Sequence, residues 1–274
     1  MNTPDLRVAI LGVSGRMGGA LLKAIDERAG ARLVGATASP GSRWIGKDAS
    51  APHSGALREV AISSAVAVAV RDANVAIDFT LPNATATNLD AAVAAGCAVV
   101  LGTTGHDDAQ RQRIFDASRQ IPIVWAANTS LGVNLLMNLV ELAAATLGDD
   151  YDLEIFEAHH RNKKDAPSGT ALALGRAAAQ GRKVALNDVA EYDRHGHSEG
   201  RRKGAIGFSV FRGGDVIGDH TVTFAGIGER VELTHKASDR MAFARGAMQA
   251  AQWLVGKPAG LYSMFDVLGL EARS

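Results

Sequence analysis

The run from Glu157 to Thr170, EAHHRNKKDAPSGT, concentrates residue types that move protons and hold anions. His159 and Lys163 can each donate a proton near neutral pH once their surroundings tune them. Ser168 stands where a helix is expected to begin. A helix start with its unpaired amides attracts a carboxylate, so Ser168, Gly169 and Thr170 form a candidate anion site. Neighbouring residues of an extended segment point to opposite sides, so only one of His159 and His160 can donate to a given atom. A metal site is the rival reading, but adjacent histidines lack the i, i+3 or i, i+4 helical spacing that makes ligands converge. A plain charged loop is the other alternative. His195 and His197, in EYDRHGHSEGRRK, read as a solvated loop or lid, with metal binding the lesser reading. No metal is expected.

A second motif, Gly12-Val13-Ser14-Gly15-Arg16-Met17-Gly18, follows a short apolar run and opens a helical pattern. Phosphate binding needs that arrangement, because glycines let the backbone approach a pyrophosphate while the helix start faces it. The spacing is a variant of the usual dinucleotide fingerprint, and an ordinary turn is the alternative. An acid that would read a ribose hydroxyl is expected at the end of the next strand, yet Gly35 to Arg43 contains none. Ser39, Ser42, Arg43 and Arg16 could donate to a 2′-phosphate there. NADPH is therefore the expected cofactor, with NADH as the alternative. Arg43 as a mere solvated charge is the competing reading. Gly102-Thr103-Thr104-Gly105, Phe79-Thr80 and Ala126-Ala127-Asn128 end other strands and could line the nicotinamide end of such a site. The alternating strand Gly228 to Ala237 is given no catalytic role.

The elements that must position these residues are legible in the hydrophobic pattern. Strands are expected at Leu6–Leu11, Arg32–Thr37, Val75–Phe79, Ala98–Leu101 and Pro122–Trp125. Helices are expected at Arg16–Arg28, Asn83–Ala95 and Asp107–Ser118. Ser63–Val70 is ambiguous and leans to helix. This alternation predicts an α/β, Rossmann-type, doubly wound parallel sheet. After about residue 130 the pattern changes: helix Leu131–Leu147, strand Asp152–Glu157, helix Ser168–Gln180, then strands Ala205–Phe211, His220–Ala225 and Arg230–Lys236 between Gly-rich turns. That half reads as α+β with a mixed sheet. A last helix, Arg240–Leu254, is expected to return to the first domain. The expected division is residues 1–130 with 240–274, the dinucleotide domain, and 131–239, the substrate domain.

Composition narrows the function classes. Lys plus Arg equals Asp plus Glu at 29 each, so no global basic field draws a polyanion and nucleic acid is a poor partner. Hydrophobic residues at 47% support a sizeable core rather than disorder. The single cysteine, Cys97, forbids an intrachain disulfide and reads as a core residue. No stretch is long enough for a membrane span, and the start lacks the pattern of a secretory signal, so a cytoplasmic protein is expected.

GVSGRMG, GTTG, EAHHRNKKDAPSGTA, FRGGDVIGDH and GERVELTHKASDR occur in that order over nearly the whole chain. Together they resemble the 4-hydroxy-tetrahydrodipicolinate reductase family, also called dihydrodipicolinate reductase. The resemblance implies NAD(P)H-dependent reduction of a small cyclic dicarboxylate in diaminopimelate and lysine biosynthesis. It also implies a homotetramer formed partly through the substrate-domain sheet, and a hinge between domains. By resemblance, His159 is a proton donor and acceptor, and Lys163 a proton donor near the reduced bond. His160, Gly169 and Thr170 would bind substrate. Residues 12–17, 102–104 and 126–129 would contact the cofactor. The chain departs at Ala38-Ser39, where some members carry Glu-Arg, and at Thr129, where an aromatic is common. Another amino-acid-pathway dehydrogenase and a non-catalytic dinucleotide sensor are the alternative functions.

Overall fold

The structure, a computed structural model, describes residues 5–196 and 200–270. It separates into two units: one runs through Leu131 and resumes at Arg240, and the other is Gly132–Asp239.

The first unit opens with β1 (Leu6–Leu11), α1 (Gly18–Asp26), β2 (Ala31–Thr37), β3 (Ile62–Ser63), α2 (Val66–Val70), β4 (Val75–Asp78), α3 (Thr85–Ala95), β5 (Ala98–Leu101), α4 (Asp108–Ser118) and β6 (Pro122–Trp125). The second holds nearly all of α5 (Leu131–Leu147), then β7 (Asp152–His159), α6 (Gly169–Gly181), α7 (Leu186–Val189), β8 (Ala190–Glu191), β9 (Ile206–Arg212), β10 (Gly218–Ala225) and β11 (Arg230–Ala237). The chain then returns to the first unit as α8 (Met241–Leu254), β12 (Gly260–Tyr262) and α9 (Met264–Leu268).

The first sheet is wholly parallel, in the order β12-β6-β5-β4-β1-β2-β3. Its central strands are apolar apart from Arg7 in β1 and Asp78 in β4, because both faces are covered. In β1, Val8 and Ile10 face a core shared with α1 and α8, while Ala9 and Leu11 face one shared with α2, α3 and α4. Cys97 lies in the second core, and burial pushes its thiol up to about 12, as befits a packing residue. The return of α8 is tied by Arg28, which donates to the Met248 carbonyl (2.8 Å), and by the Arg245–Glu27 pair (2.7 Å).

The second sheet is mixed, in the order β11-β10-β7-β9-β8. β10 runs antiparallel to β11 and β7, while β7, β9 and β8 are mutually parallel. Its inner face buries Leu153, Ile155, Phe208, Val222 and Phe224 against α5 and α6. The outer face presents Phe156, directly opposite Thr221, and Phe211, opposite Ala158. Both aromatics are nearly half exposed.

The α/β and mixed-sheet expectation holds, with boundary changes that have local causes. α1 starts at Gly18, because residues 12–17 are spent in the turn. Asp107 is the N-cap of α4, accepting from the Gln110 amide (2.8 Å) in a capping box. The ambiguous stretch divides into strand Ile62–Ser63 and helix Val66–Val70. β7 runs two residues beyond the expected end, and this places His159 within a strand.

Candidate active site

The inner face of the second sheet is apolar along most of β7 and turns polar at its C-terminal end. Residues two apart on a strand share a face, so Glu157 and His159 follow Leu153 and Ile155 inward. The register sets His220 of β10 opposite Glu157, and Arg212 of β9 opposite His159. Four ionisable side chains thus meet where the core ends.

Glu157 is fully buried and receives four donors. Its Oε2 accepts from His159 Nδ1 (2.6 Å) and Arg212 Nη1 (2.7 Å), and its Oε1 from Arg212 Nη2 (2.8 Å) and the Ser168 amide (2.9 Å). Burial works against its charge, but the bonds from Arg212, His159 and the Ser168 amide outweigh that and hold the carboxyl below the usual range. An ionised carboxylate only accepts, so Nδ1 of His159 must carry the proton of that bond. The exchangeable position is then Nε2, on the side of Gly218. Burial holds His159 below its ordinary value; Glu157 pulls upward, and the charges of Lys163 and Arg212 oppose that pull.

His220 is pushed down to about 4, by burial first and by His159 second, so it is neutral near pH 7. Its Nε2 lies 3.1 Å from Ser168 Oγ, and its ring meets His159 edge-on with centres 5.2 Å apart. Ser168 caps α6, its Oγ accepting from the Ala171 amide (3.1 Å). Gly169 and Thr170 form the first turn of that helix. The anion-attracting helix start and the His159 array are therefore joined through one carboxylate and one serine.

Lys163 sits in the turn that leaves β7, its amide donating to the His160 carbonyl (3.1 Å). Its ammonium is bound to both oxygens of Asp165 (2.9 and 2.8 Å). His160 is half-buried, and its Nδ1 is buried with no protein partner. His195 is largely exposed, and His197 lies outside the described residues. Among the described residues no cluster of three or more His, Cys, Asp or Glu could hold a metal.

In the first unit the candidate dinucleotide residues line the C-terminal ends of adjacent strands, where ligands of open α/β sheets bind. Gly12 takes a positive φ of 85°, and the Gly12 and Val13 amides both donate to the Thr37 carbonyl (3.1 and 2.8 Å). A Cβ on Gly18 would overlap the Val13 carbonyl, so only glycine lets α1 start this close to β1. No side chain caps α1 and its first turn holds no acid, which suits a phosphate at that end. Ser14 is half-buried, while Gly15 and Arg16 are exposed at the turn and Met17 packs on the core behind it. Gly102 rests against the Phe79 ring, where a Cβ would overlap. These cradles fit a bound dinucleotide.

Several predicted cofactor residues are already engaged. Thr103 is buried and donates to Asp78 (3.3 Å), and Asn128 accepts from the Ser130 amide (2.9 Å). Thr129 is buried, its hydroxyl donating to the Phe243 carbonyl (2.7 Å). Thr104 and Ala127 are exposed, and Ala126 is buried at the end of β6. Ser39 and Arg43 are exposed beyond β2.

Sequence reasoning assigned no role to Glu157, Arg212, His220 or His53. The i, i+2 spacing of Glu157 and His159 was a usable signal, whereas Arg212 and His220 needed the strand order. His53 Nε2 lies 2.7 Å from the Val13 carbonyl and so steadies the glycine turn from 40 residues away.

Comparison with known proteins identifies the family. Models of the N-terminus and C-terminus of dihydrodipicolinate reductase match residues 6–129 and 132–268. A 4-hydroxy-tetrahydrodipicolinate reductase of Thiobacillus denitrificans is 53% identical, covering 97% of this chain and 100% of the relative. One of Pseudomonas fluorescens is 50% identical, covering 97% and 99%. A solved structure, dipicolinate-bound dihydrodipicolinate reductase from Paenisporosarcina sp. TG-14, superposes with a TM-score of 0.74 at 24% identity, covering 95% and 98%, and supports the fold. An amine dehydrogenase from Mycobacterium smegmatis shares the fold at a TM-score of 0.60 and 12% identity, with 95% of each chain covered. Matched along both halves and over nearly its whole length, the chain belongs to the dihydrodipicolinate reductase family.

Proposed function

We propose that this chain reduces 4-hydroxy-tetrahydrodipicolinate to tetrahydrodipicolinate with a nicotinamide dinucleotide, in diaminopimelate and lysine biosynthesis. The observation that carries the site assignment is the Glu157–His159–Arg212 array beside the start of α6. When bound, the reduced coenzyme supplies the hydride. The balance requires one proton besides the hydride and releases the hydroxyl as water.

The substrate's carboxylates are attracted by the start of α6 at Ser168, Gly169 and Thr170, with His160 and Lys163 beside it. Lys163 exchanges Asp165 for the substrate and stabilises the negative charge that develops on the acceptor. His159 supplies the proton from Nε2. Glu157 holds the ring so that Nδ1 stays protonated throughout, and Arg212 neutralises Glu157, so the imidazole is not locked as a permanent cation. A His held below its ordinary value gives up a proton readily and recovers it from solvent. In the first unit, residues 12–17, 102–104 and 126–129, with Ser39 and Arg43, hold the dinucleotide. Lys163→Ala tests the assignment. Turnover should fall by about two to four orders of magnitude, the range of one electrostatic or acid–base group, and wild-type turnover in a folded variant would remove Lys163 from the mechanism.

The exposed outer face carrying Phe156 and Phe211 supports a homotetramer built through this sheet. Light scattering tests it, and a monomer at assay concentration would exclude it. A single buried cysteine, and no described helix long and apolar enough to cross a membrane, support a cytoplasmic location. Fractionation that places the protein elsewhere would contradict it.

A further inference from the structure

β4 ends in a carboxylate. Asp78 follows Val75, Ala76 and Ile77 in the covered middle of the first sheet and is buried as they are. Burying a carboxylate is costly unless donors surround it, and four do. Its Oδ1 accepts from the Thr80 amide (2.8 Å), the Thr80 hydroxyl (2.6 Å) and the Thr103 hydroxyl (3.3 Å), and its Oδ2 from Asn88 Nδ2 (2.8 Å). A turn at the exit of the strand needs only the bond to the Thr80 amide. The bonds to Asn88 and Thr103 reach α3 and the exit of β5, so Asp78 does more than shape its own turn.

These exits lie where the nicotinamide half of a dinucleotide belongs. β1 carries the glycine turn, and β2, on one side of it, is the strand whose end reads the adenosine ribose in such sheets. β4 and β5 lie on the other side of β1. Their exits are laced to one another. The Gly102 amide donates to the Asp78 carbonyl (2.8 Å), and the Thr103 hydroxyl also lies 3.3 Å from the Thr80 carbonyl. Further out, Thr85 Oγ1 lies 2.8 Å from His106 Nε2, and Gln110 donates to the Pro82 carbonyl (3.1 Å). The Asp78 side chain is the point at which both exits and α3 meet.

We infer that Asp78 is a positioning residue for hydride transfer: by holding Thr80 and Thr103 at a fixed spacing it sets the floor on which the nicotinamide rests, and it takes no part in holding the adenosine half. It touches neither coenzyme nor substrate and acts through the two threonines. This rests on dinucleotide binding by the first unit and on the proposed reduction. Position matters because hydride transfer needs a near-attack geometry, and a misplacement of about 1 Å lowers turnover by about 100-fold.

Thr103→Val keeps the shape of the side chain and removes its tie to Asp78, which retains its other three donors; Thr103→Ser restores the hydroxyl. Isothermal titration of the full chain compares NADH with ADP-ribose, and NADPH with 2′-phospho-ADP-ribose, each pair differing in the nicotinamide alone. Thr103→Val should weaken the coenzymes by about tenfold, the worth of one hydrogen bond. It should leave the nicotinamide-free fragments unchanged, which also shows that the first unit is folded. Its kcat at saturating coenzyme should fall by about 10- to 100-fold, and Thr103→Ser should stay within about threefold of the native protein in both measurements. Asp78→Asn, whose new amide N–H groups oppose one set of donors whichever way it turns, should lose turnover in the same sense. Thr103→Val with native turnover and native coenzyme affinity overturns the proposal, as does an equal loss for coenzymes and fragments, or a folded Asp78→Asn with native kcat. Native protein that binds neither coenzyme would instead remove dinucleotide binding itself. Native protein that binds coenzyme without turnover would remove the reductase reading and leave the titration to decide the role of Asp78.

Discussion

Replacing Glu157 by Gln changes one oxygen to an NH2 group and leaves the shape almost untouched. Each carboxylate oxygen accepts two donors: His159 and Arg212 on one side, the Ser168 amide and Arg212 on the other. Whichever way the new amide turns, its N–H groups face two donors. If they face Ser168, the cap of α6 loses its anchor. If they face His159, Nδ1 must become an acceptor, and the proton moves to the wrong nitrogen. Arg212, mostly buried, loses its bidentate partner and keeps only the charge of Asp165. Removing one partner of a buried pair costs about 3–5 kcal/mol, and because Arg212 keeps some exposure and the Asp165 charge the lower end applies, near 3 kcal/mol. A misplaced tautomer costs about two to four orders of magnitude in turnover. Glu157 also pulls His159 upward, so its loss should move the high-pH limb of kcat/KM, set by His159 as proton donor, to lower pH. The assay is coenzyme oxidation across pH on protein checked by thermal melting. Turnover within about threefold of wild type, with an unchanged pH profile, would refute the array as the source of the proton.

Two further outcomes follow from the same structure. Gly18→Ala puts a Cβ into the Val13 carbonyl, so the variant should lose about 1–3 kcal/mol of stability and bind coenzyme more weakly; native melting and native affinity would contradict the close-approach argument. His220 titrates near 4 when folded and near 6.5 when unfolded, so between those values the unfolded chain binds the extra proton. Stability should therefore be full above about pH 6.5 and fall as pH drops through that window, by on the order of 3 kcal/mol. His220→Asn should flatten this part of the pH–stability curve, and an unchanged slope would assign the loss to other groups.

The first sheet was legible because most of its strands are short, largely apolar runs, and the central ones are buried on both faces. The glycine turn was legible because its spacing answers a steric need at Gly18. His159 and Ser168 could be placed because one follows a strand pattern and the other caps a helix. Their partners could not. Arg212 reaches Glu157 across 55 residues, and only the parallel pairing of β7 with β9 brings them together. His53 was equally silent, since its role depends on one backbone carbonyl. β12 escaped notice as three residues whose strand character comes from pairing with β6. Thr129, expected at the cofactor by resemblance, also donates its hydroxyl to the Phe243 carbonyl of α8, a long-range contact invisible in the local pattern.

The most direct test starts coenzyme oxidation with freshly generated 4-hydroxy-tetrahydrodipicolinate, with NADPH and NADH in parallel. The account predicts rapid oxidation that depends on substrate and consumes one coenzyme per substrate reduced. A folded protein that binds coenzyme but oxidises neither form with this substrate would contradict it.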